Sequence, residues 1–299
     1  MTEPPSRPGP LQWGAIALLG ITWGATFLGI GIALEGFTPL QVAAGRLLIG
    51  GAALLALAAL TRDTEPEPQG ARWPYLLFIG SIGAALPFFL LSWGQLHVSS
   101  GFAGVTMASV ALLVLPLSHA FVPGERMTSW KVGGVAVGFA GVLALFSDQL
   151  SGSGHLFGQL ACVGGAACYA MASIATRLCP SMEPVRLAAW QIAVGAAIVV
   201  PIALLVEGMP EMPPARPILA LILLALIPTA TANLLRVFVI RTAGPQFMSL
   251  TNYQVPIWAV LFGVVFLGEA TPPTLLVALA LILSGIFVSQ WETIRQAVS

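Results

Sequence analysis

Apolar residues run along this chain in tracts long enough to cross a lipid bilayer, and polar residues collect in the gaps between them. A spanning helix needs roughly 17 to 25 mostly apolar residues. Dividing the chain at charge clusters, prolines and glycines predicts ten helices, at 13–34, 40–60, 74–96, 100–122, 129–146, 156–178, 185–206, 218–241, 246–267 and 272–290. The shortest breaks fall at Val98-Ser99 and Ala243-Gly244. Thr38-Pro39, Thr128-Ser129 and Thr271-Pro272-Pro273 each put a capping hydroxyl ahead of a span, twice with proline near the first turn. Pro87, Pro116, Pro201, Pro228 and Pro256 fall inside spans and are expected to kink them, which bundle neighbours tolerate.

The tracts also repeat. Glu125, in FVPGERM at 121–127, lies 144 positions before Glu269, in VFLGEAT at 265–271, and Gly141 and Gly285 share that offset. At an offset of 145, Pro39 aligns with Pro184, and SSGFAGVT with AGPQFMSLT, which matches Phe102 to Phe247 and Thr106 to Thr251. We read a five-helix unit present twice, at 13–147 and 156–291, between cytoplasmic tails at 1–12 and 292–299. Five crossings end on the far side of the membrane, so the second copy is inverted relative to the first. The predicted fold class is all-α: a polytopic membrane protein of ten transmembrane helices arranged as two inverted five-helix repeats. Glu125 and Glu269 then close the fourth helix of each half at opposite surfaces, as loop terminators or as gate residues.

Composition agrees with this pattern, because 57% of residues are hydrophobic and only 8% charged, against about 25% charged in soluble domains. Arg7, Arg62, Arg72, Arg126, Lys131, Arg177, Arg186, Arg241 and Arg295 flank the spans on one side, and only Arg216 lies on the other. The positive-inside rule therefore places both termini in the cytoplasm. The opening MTEPPSRPGP is too polar for a signal-peptide core, so the first span is expected to be retained. Eleven arginines against one lysine, with abundant alanine, suit a GC-rich bacterial genome and hence the bacterial inner (plasma) membrane. No basic patch for nucleic acid is present. The expected partners are the lipid bilayer and a small-molecule substrate, with the oligomeric state open. Cys162, Cys168 and Cys179 lack C-x-x-C spacing and a histidine partner, and His97, His119 and His155 lack an adjacent carboxylate. We expect no metal, no cofactor and no catalytic residue.

Candidate chemistry lies at mid-span. Trp23, Pro87-Phe88, Tyr169, Thr229 to Asn233 and Pro256 fall within about one turn of their span midpoints, the depth at which transporters bind substrate. Thr229, Asn233 and Arg236 stand at i, i+4 and i+7, on one helix face that either lines a pathway or bonds to neighbouring helices. Arg46, well inside the second span, should face the bundle, where it either contacts a substrate carboxylate or caps backbone carbonyls. Trp23 with Phe27 and Phe89 with Trp93 form i, i+4 aromatic pairs, either an apolar cavity wall or ordinary packing. Trp190, beside Gln191, and Asn252 complete the candidate substrate-binding set. The pairs Gly20/Gly24, Gly80/Ala84 and Gly134/Gly138 are read as close helix packing.

WGATF at 23–27, the P-x-x-x-A-A-x-R pattern from Pro39 to Arg46, QVPIWAVLFGVVFLGE at 254–269 and the matched glycines of helices 5 and 10 resemble the EamA-type branch of the drug/metabolite transporter superfamily. The likeness covers nearly the whole chain and extends to the YddG-type exporters of aromatic and other amino acids. It implies a central cavity enclosed by helices 1 to 4 and 6 to 9, with helices 5 and 10 peripheral. One departure stands out: Ala111 occupies the position that matches Pro256, so the two central kinks are not expected to be symmetric.

No aspartate or glutamate lies within any predicted span. Proton-driven antiporters use such a group, with its pKa raised by burial, to bind proton or substrate in turn. The residues thus point to facilitated export by alternating access, of amino acids including aromatic ones. Export of other small organic metabolites or drugs is the alternative. An integral membrane enzyme is a remote one, since its ionisable groups would have to converge.

Overall fold

The computed structural model describes residues 9–60, 70–146, 153–180 and 182–291, and every regular element among them is helical. In chain order these are α1 (Pro10–Ala33), α2 (Pro39–Leu60), α3 (Gly70–Gly94), α4 (Ser100–Phe121), α5 (Ser129–Phe146), α6 (Ser153–Leu178) and α7 (Pro184–Glu207). They are followed by α8 (215–248), α9 (Thr251–Leu267) and α10 (Pro273–Ser289). The first eight are long and apolar enough to cross a membrane, and α9 and α10 are shorter apolar helices.

Local chemistry sets most of the starts. Thr38 and Gln41 form a reciprocal cap at α2, each side chain accepting from the other's backbone N–H at 3.2 Å. Thr128 accepts from the Lys131 N–H ahead of α5. At α10 the cap is Pro272 rather than Thr271. The predicted break at Ala243-Gly244 is absent, because α8 continues to Met248 and the chain turns at Ser249-Leu250. Packing overrides local propensity here: Met248 is buried with Ile16 and Leu19 of α1, and the Phe247 ring meets Trp13 edge-on at 4.8 Å.

The bundle is held together mainly across the two halves. The principal contacts pair α5 with α10, α2 with α7, α1 with α9, α4 with α6 and α9, and α3 with α6. Small residues allow the close approach. A Cβ on Gly24 would overlap the Trp258 Cβ, and one on Gly285 would stand 2.5 Å from the Gly134 carbonyl oxygen. One end of the bundle, the terminal face, carries Arg72, Arg126, Lys131, Arg177 and Arg186 together with the start of α1. Arg7, Arg62 and Arg295, and most of both tails, lie outside the described residues. At the opposite face Glu35 pairs with Arg216 at 3.3 Å, and the Thr38 hydroxyl donates to Glu207.

Candidate functional site

Two spans change helix type near mid-membrane, at matching registers of the repeat: α3 is a π-helix over Ser81–Ala85, and α8 over Ala225–Thr231. Proline explains both. Pro228 has no N–H to give the Leu224 carbonyl four residues back, and the Thr229 hydroxyl donates there instead at 3.1 Å. Beyond the bulge, Ala232 donates to Ile227, five residues back, so the Pro228 carbonyl is left for the Trp23 indole N–H at 3.3 Å. In α3, Pro87 likewise leaves the Gly83 carbonyl free, and the Gln191 side-chain amide of α7 donates to it at 3.1 Å. Each bulge is thus held by a polar donor from the other half. Sequence reading found the prolines but missed the bulges and the part played by Gln191; the available signal was a polar donor at the same register of α2 and α7.

Arg46 is the counterpart of Gln191, at the 145-residue offset. It is only 7% exposed, its Nε–H donates to the Thr229 hydroxyl at 3.1 Å, and its guanidinium lies 4.0 Å from the centroid of the Phe88 ring. Tyr169 of α6 and Phe89 of α3 pack against the hydrophobic cluster that contains Phe88. Arg46, Phe88 and Thr229 therefore meet between α2, α3 and α8, with Phe89 and Tyr169 packed against the same cluster as Phe88. Pro87 and Pro228 are buried in the same region. Asn233 donates to the Thr229 carbonyl on its own helix.

Of the remaining candidates, Trp23 reaches this region through its bond to the Pro228 carbonyl, and the others stand elsewhere. Phe27 is buried against Phe102 and Ala259, and its carbonyl accepts from Gln95 at 2.9 Å. Trp23 packs beside the α1–α8 cluster of Ile16, Leu19 and Ala232. Trp93 meets His97 edge-on near the opposite face. Trp190 meets Trp73 at 5.3 Å and lines a cavity of about 220 Å³ with Leu55, Ala58 and Arg186. Arg236 and Asn252 are exposed, whereas Pro256 is buried in α9. A second cavity, of about 500 Å³, opens at the opposite face between Glu35, Gln41, Leu96 and Glu211.

The two Gly-Glu pairs have different partners. The Glu269 carboxylate accepts from the Ser100 N–H at 2.7 Å, the Ser100 hydroxyl at 2.9 Å and the Gly101 N–H at 3.1 Å, while the Ser99 hydroxyl accepts from Phe102. It thereby ties the end of α9 to the free N–H groups at the start of α4. Gly263 permits this, since a Cβ there would overlap the carboxylate. Glu125 instead pairs with Arg177 of α6 at 2.8 Å and with Lys131 at 3.7 Å. The Arg177 hydrogen bond, more than any other contact, holds the Glu125 carboxyl below its ordinary range. Among the described residues no group of three or more His, Cys, Asp or Glu side chains is placed to hold a metal ion.

The chain has known relatives. The profile of the EamA-like transporter family matches residues 12–147 and, a second time, residues 156–291. A protein of Streptantibioticus cattleyicolor named probable terminal-alkyne amino-acid exporter is 27% identical over 285 residues, 94% of this chain and 93% of the relative. An Escherichia coli protein named uncharacterized inner membrane transporter YedA is 28% identical over 258 residues, 86% of this chain and 83% of its own. A solved crystal structure shares the fold at a TM-score of 0.66 and 23% identity, across 97% of this chain and 99% of that one. With two consecutive profile matches and, among the described residues, ten apolar helices in two copies of one unit, this chain belongs to the EamA-like transporter family of membrane proteins.

Proposed function

We propose that this chain is a facilitative exporter of small metabolites, acting as a transporter rather than an enzyme, with amino acids, aromatic ones included, as its first substrates. It resides in the bacterial inner membrane with both termini cytoplasmic. The observation that carries this reading is the matched pair of mid-span bulges, each held by a donor from the opposite half. Such reciprocity couples the two halves, so a rigid-body rock of one against the other changes both together. The aromatic groups beside Arg46 offer an apolar bed at the right depth, and the name of the S. cattleyicolor relative supports amino acids as cargo. No carboxylate lies in the interior of any span, Glu207 being the last residue of α7, so no buried acid stands ready to exchange a proton against substrate.

In this reading Glu269 is the latch of the opposite face, and Glu125 is its counterpart in the other half. Opening that face requires the Glu269 carboxylate to leave the start of α4. The test is counterflow of labelled phenylalanine in proteoliposomes without a pH gradient or membrane potential, alongside a panel of other metabolites. Saturable exchange under those conditions is expected. Strict dependence on an imposed proton gradient overturns the facilitative mechanism, and exchange of other metabolites but no amino acid transfers the substrate class to the alternative cargo.

A further inference from the structure

We infer that Arg46 is a carboxylate anchor, and that the cargo is read through a single carboxylate and an apolar body rather than through its ammonium group. The inference rests on the export reading above and gives its site a chemical class.

Gln191, at the same register of the other half, supports the α3 bulge with a neutral amide donor. Arg46 supports the α8 bulge through Nε, which donates to the Thr229 hydroxyl that in turn bonds the Leu224 carbonyl, while the Trp23 indole bonds the bulge's backbone directly at the Pro228 carbonyl. The architecture therefore needs a donor at this register but not a charge. A guanidinium at this depth is unfavourable unless something anionic or polar meets it. Among the described residues no carboxylate is within ion-pair distance of Arg46, and its other close contact is the face of Phe88, which stabilises a cation only weakly beside a true counter-ion.

The guanidinium has two terminal nitrogens beyond Nε, and their fork matches a carboxylate in a bidentate pair. Phe88, Phe89 and Tyr169 supply the apolar and aromatic bed for the rest of such a ligand. An ammonium group would find no acidic side chain in the interior of any span, since Glu207 stands only at the end of α7. The expected ligands are thus monocarboxylates with an apolar body, whether or not they carry an α-ammonium. Amides and amines of the same shape are disfavoured.

The test uses the purified full chain in two assays, ligand-induced thermal stabilisation in detergent and counterflow of labelled phenylalanine in proteoliposomes. The probes are phenylalanine, 3-phenylpropionate, phenylalaninamide and phenethylamine. In the wild type, phenylalanine and 3-phenylpropionate should stabilise and compete at similar concentrations, and the amide and amine should need about tenfold more or fail. Arg46→Gln, which copies Gln191 and keeps a donor for Thr229, should keep its unliganded melting point while losing the preference for acid over amide. Arg46→Lys should retain part of that preference, which also guards against a folding defect in the glutamine variant. Equal competition by phenylalaninamide in the wild type, or an intact acid preference in Arg46→Gln, overturns the anchor and leaves export standing. Binding of carboxylates without any exchange of amino acid overturns the export reading and leaves the anchor.

Discussion

At the scale of single residues, Glu125 and Glu269 show how one sequence feature takes on different chemistry in the two halves. Glu269 neutralises free N–H groups at a helix start, whereas Glu125 is held by two cations. Because Arg177 holds the Glu125 carboxyl below its ordinary range, its stabilising contribution is present above the unfolded value, about 4.3 for glutamate, and is lost as pH falls through the lower folded value. We therefore predict that the melting-point difference between wild type and Glu125→Gln is constant from about pH 6 to pH 8 and shrinks only below about pH 4. A difference that already changes near neutrality would contradict the pairing. The sequence located both carboxylates and their equivalence but not their partners. Those partners, Arg177 for one and Ser100 for the other, are brought in by the opposite half, and their proximity is a product of tertiary packing. Arg46 was legible as a buried cation because its neighbours AAG and LLIGG leave it no polar company. Its contacts with Thr229 and Phe88 were not, since they come from α8 and α3.

At the scale of elements, hydrophobic tracts divided at charge clusters, prolines and glycines located the ten helices of the described residues, and proline positions marked where two of them are irregular. A proline predicts a missing bond; it does not say which group repairs it. Here a side-chain hydroxyl and donors from another helix do so, and the helix widens into a π-turn instead of merely bending. Thr229 serves twice, as donor to Leu224 and acceptor from Arg46, whereas the exposed Thr231 bonds only within its own helix, to Leu226. Replacing Thr229 by valine should therefore lower stability by about 1–3 kcal/mol, and Thr231→Val should cost clearly less, as read from denaturation midpoints in detergent. Equal losses would show that the bulge does not depend on the Arg46 contact. The misplaced α8–α9 break teaches the complementary lesson. Gly244-Pro245 reads locally as a stop, but burying Met248 and Phe247 against α1 carries the helix past it.

At the scale of the whole molecule, the duplication explains why neither half is a structure by itself: nearly every large helix contact joins the two copies. It also makes an alternating mechanism natural, since an asymmetric state of two equivalent halves has a mirror state of similar energy. In the structure the Glu269 carboxylate ties the end of α9 to the start of α4, the contact that the proposed mechanism takes as the latch of the opposite face. The most direct test is a pair of distance measurements on spin-labelled protein in lipid. One pair of labels, at Leu96 and Ala270, spans the start of α4 and the end of α9, and the other, at Ala120 and Asn252, spans the end of α4 and the start of α9. With saturating phenylalanine, and equally with Glu269→Gln, the first distance should gain a longer component while the second gains a shorter one. Two distances that stay fixed, or that lengthen together, would contradict an exchange between inward-open and outward-open states.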